Sequence, residues 1–404
     1  MLSFTQYNHE VIQEETARNK HLDHIEDLMI LYGQKGLDNS IAFLKDIIES
    51  LKTGNTSLGV STKWDGKPAI ICGENPDNGK FFVSTKSVFG AKEQKAYHTE
   101  AELRKSGLPS DLIDKMAMCL KMLTKVGIGK RILQGDLMFT AEMKKAVNID
   151  GKPHIAFQPN TIMYAVPKDS DIGSAISSAK LGIAFHTEYK GDSLKSIQAV
   201  SYNFNSKVLK QTSDVWVTDP NIYDLSPALM KGSESEVAIR MLKECEALAS
   251  KVRPFLKTLI AQKEIAENYL LPYVNSTING GMNNFNASSL KLNIKGKFEK
   301  DINKLKTDKA KQAKTELMQK QLDFVDAYSK QIDQMFELHN KIANIKEILL
   351  RKLYAISTLG HFFMDENGIR PTNPEGIVIY RSGSVIKLVN RLEFSKQNRM
   401  VNQR

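Results

Sequence analysis

Lys63-Trp64-Asp65-Gly66 places a carboxylate two residues and a glycine three residues after a lysine, where a short run of mixed polarity ends. Those residue types suit covalent catalysis. A lysine amine attacks only when it has lost its proton, which a neighbouring cation or partial desolvation favours, and a nearby carboxylate orients it. Glycine lets the backbone come close to a ligand. Alone the pattern is weak, since ordinary residue frequencies produce a KxDG in roughly one chain in ten of this length. A charged strand end entering a turn uses the same residues.

Four further segments carry groups of the same kind. Ser84-Thr85-Lys86-Ser87 offers a cation among hydroxyls, and Gly135-Asp136-Leu137 a carboxylate on an apolar strand. Glu375-Gly376-Ile377-Val378-Ile379 brings a carboxylate and a glycine into another strand, and Val385-Ile386-Lys387-Leu388-Val389 sets a lysine inside the next. An ammonium in an apolar strand is costly unless it meets an anion. Read singly, the Glu375 and Lys387 segments are strand-edge charges.

The elements that must position these groups change period twice. Residues 1–55 read as helical. Ile25, Leu28 and Met29 share a face, Gly33-Gln34-Lys35-Gly36 reads as a turn, and Asp38 or Asn39 is placed to cap a second helix carrying Ile41, Leu44, Ile47, Ile48 and Leu51. From Ser57 to about Lys190 the chain reads as strands: LGVSTKWD, PAIICGE, FFVSTKS, RILQGDLMFT, NTIMYAVP and LGIAFHTEY, with a helical interlude at 99–127. AVSYNF and DVWVTD are weaker strand signals. From Ser226 to about Leu359 the pattern is helical again, with breaks expected at Pro254 and Pro272 and a polar loop at 275–289. Ten lysines against four acids between Lys291 and Lys320 give that stretch a net charge of +6. A hairpin around Arg381-Ser382-Gly383-Ser384 follows.

Composition limits the class. The chain has 404 residues, 41% hydrophobic and 25% charged, with a net charge of +10, which is globular rather than disordered composition. Cys72, Cys119 and Cys245 are too far apart for a disulfide framework or a CxxC metal site and suit a reducing compartment. The N-terminal residues lack the basic and apolar regions of a signal peptide, and no apolar run approaches the ~18 residues of a membrane span. The expectation is a soluble cytoplasmic protein with no membrane partner, whose charge permits a polyanionic one.

In this order, the five motifs resemble those of the covalent nucleotidyltransferase superfamily: ATP-dependent DNA ligases, RNA ligases and mRNA capping guanylyltransferases. The chain is most similar to a phage-encoded branch near the RNA ligases. The resemblance covers about residues 57–190 and 370–391. It implies an α+β fold whose ATP-grasp-like ligase core of antiparallel sheets spans 56–225 and 360–392. A helical N-terminal segment (1–55), a helical lysine-rich insertion (226–359) and a tail (393–404) complete the expected organisation. Only about a dozen residues follow Arg391, too few for the OB-fold of DNA ligases and capping enzymes, which tilts the expectation towards RNA end-joining.

The resemblance also assigns roles. Lys63 would attack the α-phosphate of ATP and form a lysyl-AMP, with Asp65, Glu375 and Lys387 completing the catalytic set. Gly66, Lys86 and Asp136 would line the nucleotide site, with Tyr164 or, alternatively, Phe185 stacking on the base. Asp136 and Glu375 would be the carboxylates for Mg²⁺, or for Mn²⁺ in its place. The partner would be nucleic acid, RNA before DNA. The alternatives are an enzyme that stops at nucleotidylation, as capping or protein-modifying enzymes do, and a non-catalytic nucleic-acid-binding protein on a degenerate ligase core. Two departures from the family pattern stand out. The last motif carries Lys387 and Val389 where a second lysine is common, leaving Arg391 as the candidate replacement, and Asp136 stands where glutamate is usual. His21 and His24 lie among acids in HLDHIED and could share a face for a metal, although a polar helix face is the better reading. His186 reads as a strand residue near the pocket.

Overall fold

The structure, a computed structural model, describes residues 22–55, 57–90, 92–356, 359–365 and 368–395. His21 lies outside the described residues. In chain order the main elements are α1 (Leu28–Thr53), β1 (Gly59–Lys63), β2 (Ala69–Glu74), β3 (Phe81–Ser84), α2 (Glu100–Arg104), α3 (Ser110–Met122), β4 (Ile132–Thr140), β5 (Lys145–Ile149), β6 (Lys152–Phe157), β7 (Met163–Pro167), α4 (Asp171–Ser178), β8 (Leu181–Lys190), β9 (Gln198–Ser201) and β10 (Val215–Thr218). Then come α5 (Gly232–Ala261), α6 (Leu271–Asn279), α7 (Ala287–Ile302), α8 (Asp308–Ala327), α9 (Ser329–Leu353), β11 (Gly360–Asp365), β12 (Gly368–Pro371), β13 (Gly376–Arg381) and β14 (Ser384–Leu388). The protein is α+β, and its sheets are almost wholly antiparallel. No helix among the described residues is long and apolar enough to cross a membrane.

The chain forms two compact units. One, the sheet unit, comprises Ser57–Pro227 and Tyr354–Lys387, and the other comprises Asp23–Thr56, Ala228–Leu353 and the residues from Leu388. The two helical blocks expected from the sequence are therefore one body.

In the sheet unit, a six-stranded sheet has the order β10-β8-β4-β2-β3 with β9 alongside β8, and β10 is its parallel strand. Strand alternation divides its two faces. Leu133 and Leu137 of β4, with Leu181, Ile183 and Phe185 of β8, pack beneath Ile113, Met116 and Cys119 of α3. On the opposite face, Met138 and Ala184 meet Ile155, Phe157, Tyr164 and Val166 from a five-stranded sheet, β12-β11-β7-β6-β5. A three-stranded sheet, β1-β13-β14, completes the unit. The β5–β6 hairpin and β11 are additions to the strands read from sequence. The hairpin's signal was present in Asp150-Gly151, both with positive φ (50° and 77°), the turn chemistry that tight hairpins require.

In the helical unit, α1 kinks at Gly33 (φ 61°, ψ −137°), where an added Cβ would lie 2.4 Å from Ile260 Cγ1. Asp38 and Asn39 lie within α1 rather than capping a separate helix, and Asp38 pairs with Arg253 at 2.7 Å. α5 runs through Pro254, whereas Pro272 sits at the start of α6. Glu26 and Asp27, just ahead of α1, are buried, as are His339 and Lys346 of α9. Lys346 Nζ lies 2.5 Å from Glu26, and His339 Nε2 lies 2.8 Å from Asp27. Burial alone would raise both carboxyls, but Lys346 beside Glu26, and the His339 contact and Arg391 beside Asp27, outweigh it and hold both below their ordinary values.

Removing one member of a buried ion pair strands the other. Lys346→Met should destabilise the helical unit by about 3–5 kcal/mol, read by urea unfolding. Glu26→Gln added to Lys346→Met should recover part of that loss. Because the two carboxyls are held low, their stabilisation is present above the ordinary values of 4.5 and 3.8 and is lost as pH falls through the folded ones. Acid unfolding below about pH 4 should therefore be blunted in the double variant.

Candidate active site

Strand pairing creates the site. β1 and β13 are antiparallel with Lys63 opposite Gly376, so Glu375, one residue before β13, arrives beside the lysine. Lys63 Nζ and Glu375 Oε2 form a short, partly buried ion pair between residues 312 apart in the chain. Burial raises the Glu375 carboxyl, against the pull of the Lys63 ammonium and, more weakly, that of Lys387. The glutamate, not Asp65, is thus the carboxylate that holds the amine.

Asp65 is buried and turned elsewhere. Its carboxylate accepts hydrogen bonds from Asn160 Nδ2 (2.8 Å), Thr161 N (2.7 Å) and Ile162 N (3.1 Å). Its own N–H donates to the Tyr164 hydroxyl at 2.6 Å. On the other side, Lys67 N donates to Leu137 O and Leu137 N to Pro68 O, at 3.1 and 3.0 Å. The segment after Lys63 is therefore tied to β4 and to the turn before β7. Asp65 is thus held by the donors of that turn. Nothing in the sequence links Asp65 to Asn160, and only folding brings them together.

Gly66 lies against β4. A Cβ there would stand 2.4 Å from Asp136 Cβ and 3.1 Å from Met138 Sδ, so this close packing demands glycine. Asp136 points to the face of β4 opposite α3, as its alternation with Leu133 and Leu137 requires. Its carboxyl is pushed up to about 7, first by burial and then by the charges of Glu375 and Asp65, against the pull of Lys63 and Lys86. His186 Nε2 lies 3.8 Å from Asp136 Oδ2, and His186 Nδ1 lies 2.7 Å from Thr187 Oγ1. Burial, with Lys63 and Lys86 nearby, lowers this imidazole to about 4 and keeps it neutral. Lys86 is exposed and lies on a short 3₁₀ turn, Lys86–Phe89, after β3 rather than on the strand itself.

Tyr164, Phe185 and Arg391, the other expected nucleotide contacts, are held by packing or by an ion pair of their own. Tyr164 and Phe185 are both fully buried, so neither ring has a face free to stack on a base. Phe185 faces the α3 side of the sheet, while Tyr164 packs among Trp64, Phe157 and His361. The side chain that β8 presents beside Asp136 is His186, one residue along, because strand neighbours point to opposite faces. Arg391 does not join this group. It contacts Asp27 at 3.1 Å and also Asn275, within the helical unit. The last motif therefore contributes Lys387 alone.

Among the described residues, no group of three or more His, Cys, Asp or Glu side chains is arranged to hold a metal ion. His24 is no exception, and Asp136 and Glu375 are two carboxylates beside Lys63.

The model of a family of unknown function, DUF6267, matches residues 19–403, and the chain belongs to that family. Comparison with curated proteins and with solved structures gives no match.

Since folding lifts the Asp136 carboxyl from its ordinary 3.8 to about 7, the folded chain keeps a proton that the unfolded chain has lost. Stability should fall as pH rises between those values. Asp136→Asn should then be more stable than the parent at pH 8, by on the order of 2 kcal/mol, and match it near pH 3.5. Urea unfolding at the two pH values checks this. Asp65→Ala leaves up to three donors unsatisfied, at about 1–3 kcal/mol each for those that water cannot reach, and should lower the thermal midpoint at every pH.

Proposed function

We propose that this protein is a covalent nucleotidyltransferase of the polynucleotide-ligase type, using ATP and acting on RNA ends. The observation that carries this reading is the Lys63–Glu375 ion pair. It joins the lysine of KxDG to the carboxylate of EGI, two motifs whose order along the chain suggested the same chemistry. Asp136, His186, Lys86 and Lys387 lie within electrostatic reach of the pair.

The balanced step is attack of the Lys63 amine on the α-phosphorus of ATP. An N–P bond forms, the α–β P–O bond breaks, and pyrophosphate leaves. Glu375, in contact with the amine, takes up the proton that the amine must lose. Lys387 and Lys86 offset phosphate charge, and such transfer depends mainly on positioning and charge neutralisation. The carboxylates of Asp136 and Glu375 suit Mg²⁺ held partly through water, which when bound neutralises phosphate oxygens. Burial and neighbouring carboxylates raise the Asp136 carboxyl, and a bound cation would favour its ionised form. The nucleotide would then pass to a 5′-phosphate, and a 3′-hydroxyl would displace AMP. The lone lysine of the last motif favours a second reading, in which the enzyme stops at the nucleotidylated lysine.

Incubation with α-labelled ATP and Mg²⁺, then denaturation, should leave label on the chain that acid releases, as expected of a phosphoramidate. Lys63→Ala should abolish the label, and Glu375→Gln should slow its appearance by about a hundredfold. Transfer of label to a 5′-phosphorylated RNA supports the ligase reading, and retention on the protein supports the second. Absence of label with both ATP and GTP overturns both.

A further inference from the structure

The helical unit carries a second set of cations with no part in the Lys63 site. α7 and α8 form a hairpin joined across by Lys314, which lies 3.8 Å from Asp301 and over the Phe298 ring at 5.0 Å. At its turn are Lys300 in the last part of α7, Lys304 and Lys306 in the connection, and Lys309 and Lys311 at the start of α8. All five are exposed, and among the described residues none has an ion-pair partner.

Other lysines of the same hairpin are committed. Lys291 pairs with Asp326, Lys295 with Glu299, and Lys297 lies over the Tyr269 ring and donates to Asn268 O. Within 300–311 the acids are Asp301, already facing Lys314, and Asp308. The N-terminal end of α8 meets the same turn, capped by Thr307, and its dipole adds positive potential there. Five like charges within twelve residues repel one another. On a merely solvated face nothing requires such crowding, whereas a row of phosphates relieves it.

We infer that the α7–α8 turn is a docking surface for the phosphate backbone of a polynucleotide. The inference deepens the ligase reading by placing its strand contact on the helical unit, and it is tested apart from that reading. Lysine ammoniums read phosphates without base specificity, so binding should tolerate changes of sequence and respond strongly to salt. With up to five single-strand phosphates neutralised, log K should fall with log salt at a slope of about −3.5.

The probe is a fluorescein-labelled, mixed-sequence, single-stranded 30-mer RNA, followed by anisotropy with the full chain between 50 and 200 mM salt. The parent should lose about a hundredfold in affinity across that range. The variant with Lys300, Lys304, Lys306, Lys309 and Lys311 all changed to Gln should bind at least tenfold more weakly at 50 mM salt, with a visibly flatter slope. Its unchanged circular dichroism and thermal midpoint confirm folding, and Lys300→Arg alone should bind like the parent. Parent-like RNA binding by the five-fold variant overturns the inference, as does absence of RNA binding with binding only to phosphatidylserine vesicles. Labelling of Lys63 from ATP is followed in parallel. Hairpin-dependent binding without lysine labelling supports the surface while sinking the ligase reading, and labelling with hairpin-independent binding does the reverse.

Discussion

A lysine ammonium at the end of β1 is partly shielded from water and needs an anion close by. Glu375 supplies it, and the position of Glu375 follows from the pairing of β1 with β13. Side chains on a strand alternate with period two, so a slip of one residue in that pairing would turn the carboxylate to the other face. The charge arrangement of the site thus depends on one strand register. The second strand of that register arrives only after the helical block from Gly232 to Leu353.

The surroundings of the pair show how a few side chains set one another's charge. Asp136 is raised first by burial and then by two carboxylate neighbours, against the pull of Lys63 and Lys86. His186 is kept neutral by the burial and the cations that surround it. Asp65, by contrast, is fully satisfied by backbone and amide donors and acts as a latch. The two acids therefore differ: Asp65 is held by hydrogen bonds, while Asp136 is raised by burial and by neighbouring carboxylates.

The helical unit solves a related problem by another route. Glu26 and Asp27 are buried beside Lys346, His339 and Arg391, a charge set that is internally paired. Arg391 is committed to this set through Asp27. At the α7–α8 turn the balance differs, with five lysines against Asp301, which faces Lys314, and Asp308. Ion pairing is used in the interior and is sparse at that turn.

Much of this was legible in the chain. Short apolar runs bounded by turn residues marked β2, β4, β7 and β8, and helical patterning marked α1 and α9, because these are local properties of the chain. The five motifs named Lys63, Asp136, Glu375 and Lys387, since residue type and order survive in one dimension. Sequence could not show which face of β8 met the site, so Phe185 stood as a candidate where His186 is the neighbour of Asp136. Nor could it show that Asp65 would be captured by a turn 95 residues away, or Arg391 by a carboxylate 364 residues away. Chain order fixed which groups are present. Register, burial and long-range pairing, which depend on where distant segments pack, decided which of them meet.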